Sequence, residues 1–63
     1  MEPPTVREID ARLKADGWVL VRMRGDHRRY EKDGRACTLA GHWHDHLPRG
    51  TWAAFQRQVG WRL

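Results

Sequence analysis

The 63-residue sequence predicts a small α+β domain of order α-β-β-β-α. Three observations carry that reading. A capping box opens an amphipathic stretch near the N-terminus, two glycine-containing turns divide a run of strand-forming residues into three, and a second amphipathic stretch follows a loop. The expected sheet is three-stranded and antiparallel, with both helices on one face. Residues 1–63 read as a single domain, with 1–4 as an N-terminal tail. Chains of this size bury only about 60% of the surface their unfolded state exposes, so there is material for one core and none for a Rossmann fold or a TIM barrel.

Each element follows from its residues. In Thr5-Val6-Arg7-Glu8 the threonine hydroxyl can cap the helix while the glutamate reaches back to the threonine N–H. Val6, Ile9 and Leu13 then recur at helical spacing, and Gly17 stands where a left-handed residue ends a helix. The first helix is therefore expected at residues 6–15. Trp18–Arg24, His27–Lys32 and Arg35–Gly41 read as strands. Gly25-Asp26 suits a type II′ turn and Asp33-Gly34 a type I′ turn. Gly41–Gly50 reads as a loop, and Thr51 as the cap of a second helix carrying Trp52, Phe55 and Val59 on one face, ended by Gly60.

Two-residue turns fix the register, and directly opposed residues point to one side. Regular pairing puts Val19, Val21, Met23, Tyr30, Cys37 and Leu39 on a core face. It puts Arg22, Arg24, His27, Arg29 and Thr38 on an open face. The same register leaves Trp18 and Leu20 on the open face, an apolar pair beside the basic strip. Arg28 and Lys32 fall on the core side near strand ends and are expected to snorkel to solvent.

Twelve Lys and Arg against eight Asp and Glu give a net charge of +4, and ten of the twelve cations are arginine. The pI is near 10.2. A small basic domain rich in the residue that pairs bidentately with phosphate suits an anionic partner, most often a nucleic acid. The single cysteine leaves no internal disulfide. No apolar run is long enough to span a membrane and the first residues do not read as a signal peptide, so the expected location is cytoplasmic.

The ordered set of pieces resembles the HicA-type toxins of bacterial toxin–antitoxin systems. Those pieces are a short helix ending before Gly17-Trp18, a strand running into Gly25-Asp26-His27 with an aromatic at Tyr30, and a third strand ending in Gly41-His42. Leu47-Pro48-Arg49-Gly50-Thr51 before the last helix completes the set, and the resemblance covers about residues 5–61. It implies a double-stranded-RNA-binding-domain-like fold, endoribonuclease activity on mRNA with His27 as the catalytic residue, and a HicB-type antitoxin as partner. Two features depart from the family pattern. Asp26 stands where serine is more usual, and the His-Trp-His-Asp-His loop stands where lysines are usual.

Acid–base cleavage of RNA needs a group that exchanges protons near neutrality and positive charge for the phosphate. His27 is the candidate for the first, and Arg22, Arg24 and Arg29 for the second. His42 is a candidate RNA contact or second proton carrier. Bland readings stand beside these: a strand-edge histidine can be a solvated polar residue, and an arginine face can simply block sheet aggregation. A non-catalytic RNA-binding module would need the arginines and no particular histidine. His42, His44 and His46 alternate and would suit zinc on an extended strand, but Gly41 and Pro48 bracket them as loop. The expectation is therefore no metal and no small-molecule cofactor. Cys37 reads as a buried structural residue, whereas Trp43 and Trp61 could each pack, stack an RNA base or anchor a partner.

Overall fold

The computed structural model describes residues 2–61, so Met1 of the expected tail, Arg62 and Leu63 lie outside the described residues. The first helix, α1 (Val6–Ala15), begins at the expected capping box. Thr5 Oγ1 accepts the Glu8 N–H at 3.2 Å, and Glu8 Oε1 accepts the Thr5 N–H at 2.8 Å. The Thr5 backbone and side-chain donors hold the Glu8 carboxyl below its ordinary range. Val6, Ile9 and Leu13 form the buried stripe. Gly17, at φ 91°, turns the chain out of the helix.

Three strands follow, β1 (Val19–Arg24), β2 (His27–Lys32) and β3 (Arg35–Ala40), and then α2 (Arg49–Val59). The sheet order is β1-β2-β3 and both pairings are antiparallel. Gly25 at φ 61° and Asp33-Gly34 at φ 49° and 77° supply the two tight turns. Tyr30, Cys37 and Leu39 project from one side of the sheet into a core shared with α1 and α2, while Arg22, Arg29 and Thr38 share the exposed side. The α+β order and the open three-stranded sheet are those the sequence predicts.

The β2–β3 register is regular from His27↔Ala40 to Lys32↔Arg35. The β1–β2 register is not, and this corrects the expected faces of β1. Leu20 pairs with Tyr30 and Arg22 with Arg29, so Val21 is an extra residue in a β-bulge. One inserted residue exchanges the two faces for everything on its N-terminal side. Trp18, expected on the open face, is 3% exposed, and Leu20 is half-buried against the core; Val19 and Val21, expected in the core, are 60% and 48% exposed. Arg22 and Arg24 lie beyond the bulge and keep the expected open face. Met23 keeps its expected side, opposite Arg28, but stands exposed at the turn end of the sheet. Arg28 does not snorkel to solvent: it is buried, and its Nη1 donates to the Gly41 carbonyl at 3.2 Å.

A buried polar pair ties the core. The Tyr30 hydroxyl donates to Asp10 Oδ1 at 2.5 Å, and Lys14 Nζ stands 3.1 Å from the other carboxylate oxygen. Burial, reinforced by the acceptor Asp10, pushes Tyr30 ionisation well above its usual range. Helix α2 starts earlier than expected, at Arg49 after Pro48, so Thr51 lies inside the helix and makes no cap. The Pro48 carbonyl accepts the Trp52 N–H at 2.8 Å as the first helical bond. Phe55 and Val59 are buried, Trp52 and Trp61 pack against them, and Gly60 ends the helix at φ 79°.

The end of the sheet at the β2–β3 turn is closed by paired charges. Lys32 Nζ lies 3.5 Å from Asp16, and Arg35 Nη2 donates to the Gln58 carbonyl at 2.7 Å. The Trp61 indole N–H donates to Asp16 at 3.0 Å, and Arg12 stacks on the Trp61 ring at 4.1 Å. That indole donor, and the nearby Lys32 charge, hold the Asp16 carboxyl below its ordinary range.

Candidate functional site

The opposite end of the sheet, at the β1–β2 turn, is where the sequence-predicted residues meet. Gly25-Asp26 makes the turn and places His27 as the first residue of β2. Arg24, His27 and Ala40 form one cross-strand row; Arg22, Arg29 and Thr38 form the next. Opposed residues share a side, so His27 shares the open face with all three candidate arginines. Ala40 and Thr38 are small, so the third column of this face stays low. The His27 side chain is 63% exposed, with Nε2 3.4 Å from Asp26 Oδ1. Arg29 Nε lies 3.4 Å from Glu31. Among the described residues, Arg22 and Arg24 have no hydrogen-bond or ion-pair partner.

His42 is positioned differently. The ladder continues to the Gly41 N–H, which donates to the Asp26 carbonyl at 3.1 Å. Gly41 then takes φ 125°, and a Cβ there would stand 3.2 Å from Val6 Cγ2. That dihedral favours glycine, and the close approach to α1 adds to the preference. The strand ends at Ala40, so its alternation does not place His42. The loop that follows is fixed by α1. The Trp43 and Asp45 carbonyls accept the Arg7 and Val6 N–H groups at 3.0 and 2.9 Å, supplying partners that the first turn of a helix lacks. Asp45 also binds back to His42, side chain to backbone at 3.3 Å.

The alternating histidines do not converge. His46 Nδ1 is 2.6 Å from the Pro3 carbonyl and its Nε2 is 3.3 Å from Glu2, so its ring is engaged by the N-terminal segment. Among the described residues, no three His, Cys, Asp or Glu side chains gather in a metal-binding arrangement. Cys37 is buried in the core, and burial pushes its thiol up to about 11, so near neutrality it is a protonated, unreactive group.

Beside the turn, an open cavity of about 360 Å³ is lined by Met23, Gly25, Asp26, Arg28, Gly41, His42 and Trp43. The Arg28 guanidinium lies 4.9 Å from the centre of the Trp43 ring. His27 is not part of the lining, but its chain neighbour Asp26 is. The turn end thus carries a basic open face with an exposed histidine, and a cavity reached across one turn residue. Arg28 and Met23 were not among the candidate residues. The signal for Arg28 was in the register: an arginine opposed by Leu39 on the apolar side of the sheet has no reason there from packing alone.

The open face thus presents an exposed imidazole in a cluster of arginine side chains. Among the described residues, no helix is long and apolar enough to cross a membrane. Residues 6–61 match the family described as HicA toxin of bacterial toxin–antitoxin. No curated protein and no solved structure gives a significant match. The family match spans nearly all of the chain and both sheet faces, and this protein belongs to the HicA toxins of bacterial toxin–antitoxin systems.

Proposed function

We propose that this toxin is a metal-independent endoribonuclease that cleaves mRNA through His27 and is neutralised by a HicB-type antitoxin. The observation that supports it most is the exposed imidazole of His27 beside two guanidinium groups, Arg22 and Arg24, that have no protein partner among the described residues. In the reaction, His27 takes the proton of a ribose 2′-OH. The 2′-oxygen attacks the adjacent phosphorus, and the bond to the 5′-oxygen breaks. The protonated His27 then gives its proton to that oxygen, leaving a 2′,3′-cyclic phosphate and a 5′-hydroxyl. Arg22, Arg24 and Arg29 stabilise the charge that builds on the equatorial oxygens, the work a bound cation would otherwise do. His42, at the same end of the sheet, contacts the RNA. A loss of rate in His42→Ala as large as in His27→Ala would make it the separate acid.

The antitoxin is acidic and covers the open face. Val19 and Val21, which the bulge exposes beside the arginines, provide apolar contact in place of the buried Trp18 and half-buried Leu20. Its association is expected to weaken with salt, as charge-steered binding does.

The test is cleavage of a single-stranded RNA in EDTA by the wild type and His27→Ala. The expected loss is about 10²–10⁴-fold. RNA affinity should persist, because the arginine charges remain. Stability should change by less than about 0.5 kcal/mol, because His27 is a surface residue. Undiminished cleavage by folded His27→Ala would leave the non-catalytic RNA-binding module as the better reading.

A further inference from the structure

We propose that the cavity between the β1–β2 turn and the loop after β3 binds one unpaired nucleotide of the RNA, with its base on the Trp43 ring and its phosphate on Arg28. The inference rests on RNA being the substrate, and it narrows that substrate to single-stranded or locally unpaired RNA.

The first support is Arg28. It is 8% exposed, yet among the described residues its guanidinium makes one hydrogen bond, to the Gly41 carbonyl, and no carboxylate lies within ion-pair distance. A guanidinium offers five N–H donors in a rigid fork that matches phosphate. The remaining N–H donors of Arg28 have no protein acceptor among the described residues and are not sealed from solvent, and Arg28 lines the cavity, so a phosphate entering there can engage them.

The second support is Trp43. It is a large aromatic left 36% exposed in the cavity wall, and it is held in place rather than loose. Its carbonyl is anchored on α1 and its ring is stacked with Arg28. A fixed exposed ring of this kind is a stacking platform for any base. The other walls suit a flat ligand: Gly25 and Gly41 bring no side chain into the space, and Met23 gives a soft apolar surface. Asp26 at the rim can accept an amino N–H from a base edge.

Size and position complete the case. About 360 Å³ is at the small end of ligand cavities, enough for one nucleotide and not for a stacked duplex. Because Asp26 lines the cavity and His27 follows it in the chain, a nucleotide lodged there presents its neighbouring linkage to the histidine.

The experiment measures affinity, so it is independent of cleavage. The ligand is a short oligoribonucleotide made non-cleavable by 2′-O-methylation, used single-stranded and annealed to its complement. Trp43→Ala is expected to weaken single-strand binding about tenfold or more and to leave duplex binding unchanged, while Trp43→Phe retains most of the affinity. Arg28→Gln should weaken single-strand binding and lower its salt dependence by about one phosphate contact. Walking one abasic residue along the single strand should reveal a single position whose loss costs as much as Trp43→Ala, an arm that needs no variant to fold. Unchanged single-strand affinity in folded Trp43→Ala, equal losses on duplex, or a flat abasic profile would each overturn the nucleotide site, even if the wild type cleaves RNA. Loss of antitoxin binding alone in Trp43→Ala would overturn it in favour of a protein anchor. Failure of the wild type both to bind and to cleave RNA would overturn the enzymatic reading itself.

Discussion

The two ends of the sheet are built from the same kinds of residue and treat them in opposite ways. At the β2–β3 turn, Lys32 pairs with Asp16, Arg35 caps the Gln58 carbonyl, and Arg12 stacks on Trp61. Each cation there closes a contact between a helix end and the rest of the fold. At the β1–β2 turn, Arg22 and Arg24 project from the sheet without a partner among the described residues, and Arg28 is buried with one carbonyl. Charges used up in the fold steady it; charges left over are available to an anion. The difference separates residues whose loss should show in melting from those whose loss should show in RNA binding and cleavage.

The largest expected effect on stability comes from the middle of the apolar face. Tyr30→Phe removes the donor to buried Asp10, which should cost about 1–3 kcal/mol. In a domain this small that lowers the melting temperature by more than about 4 °C. Cleavage by the folded protein should be unchanged at a temperature well below the melt. A comparable drop in rate for the folded variant would blur the division between the two ends.

Gly41→Ala should cost about 1 kcal/mol or more, because φ 125° is strained for any residue with a Cβ and Val6 Cγ2 would have to give way to it. It differs from Tyr30→Phe in acting on both readouts: the loop carrying His42 and Trp43 starts at this residue, so RNA affinity should fall as well. Thermal melts beside RNA titrations check this.

The smallest effect is a pH dependence. Cys37 is raised from its ordinary value of 9.0 to about 11, and Tyr30 is raised above 10.0. Each raised acid favours the folded state while both states are protonated. As pH rises past 9, the unfolded chain loses these protons first, so stability should decline between about pH 9 and 11 and further above it. Melting temperature measured from pH 7 to 11 checks the sign. Cys37→Ala should flatten the lower part of the decline.

How much was legible in the sequence follows the locality of the signal. The capping box at Thr5, the two turns, the β2–β3 register and Gly60 all depend on residues close in sequence, and each stands where its residues indicate. The bulge at Val21 does not. Val19, Val21 and Met23 alternate as a core strand should, and only burial of Trp18 against the helices outweighs that pattern. The start of α2 was placed at a capping residue, Thr51, whereas Pro48 ends the loop and sets the first turn. At the site, the side shared by Arg22, Arg24, His27 and Arg29 was readable because all four lie on the turn side of the bulge. The cavity was not, since it depends on Gly41 leaving the strand and on α1 fixing the loop, contacts between residues far apart in the chain.

The most direct measurement compares one arginine from each end, Arg35→Ala and Arg24→Ala, by thermal melting and by cleavage of the same single-stranded RNA. Arg35→Ala should lose about 1 kcal/mol with its bond to the Gln58 carbonyl and cleave RNA at the wild-type rate while folded. Arg24→Ala should melt within about 0.5 kcal/mol of wild type and cleave at least about tenfold more slowly. If Arg24→Ala cleaves normally, or folded Arg35→Ala loses as much activity as Arg24→Ala, the division of labour between the two ends of the sheet is wrong.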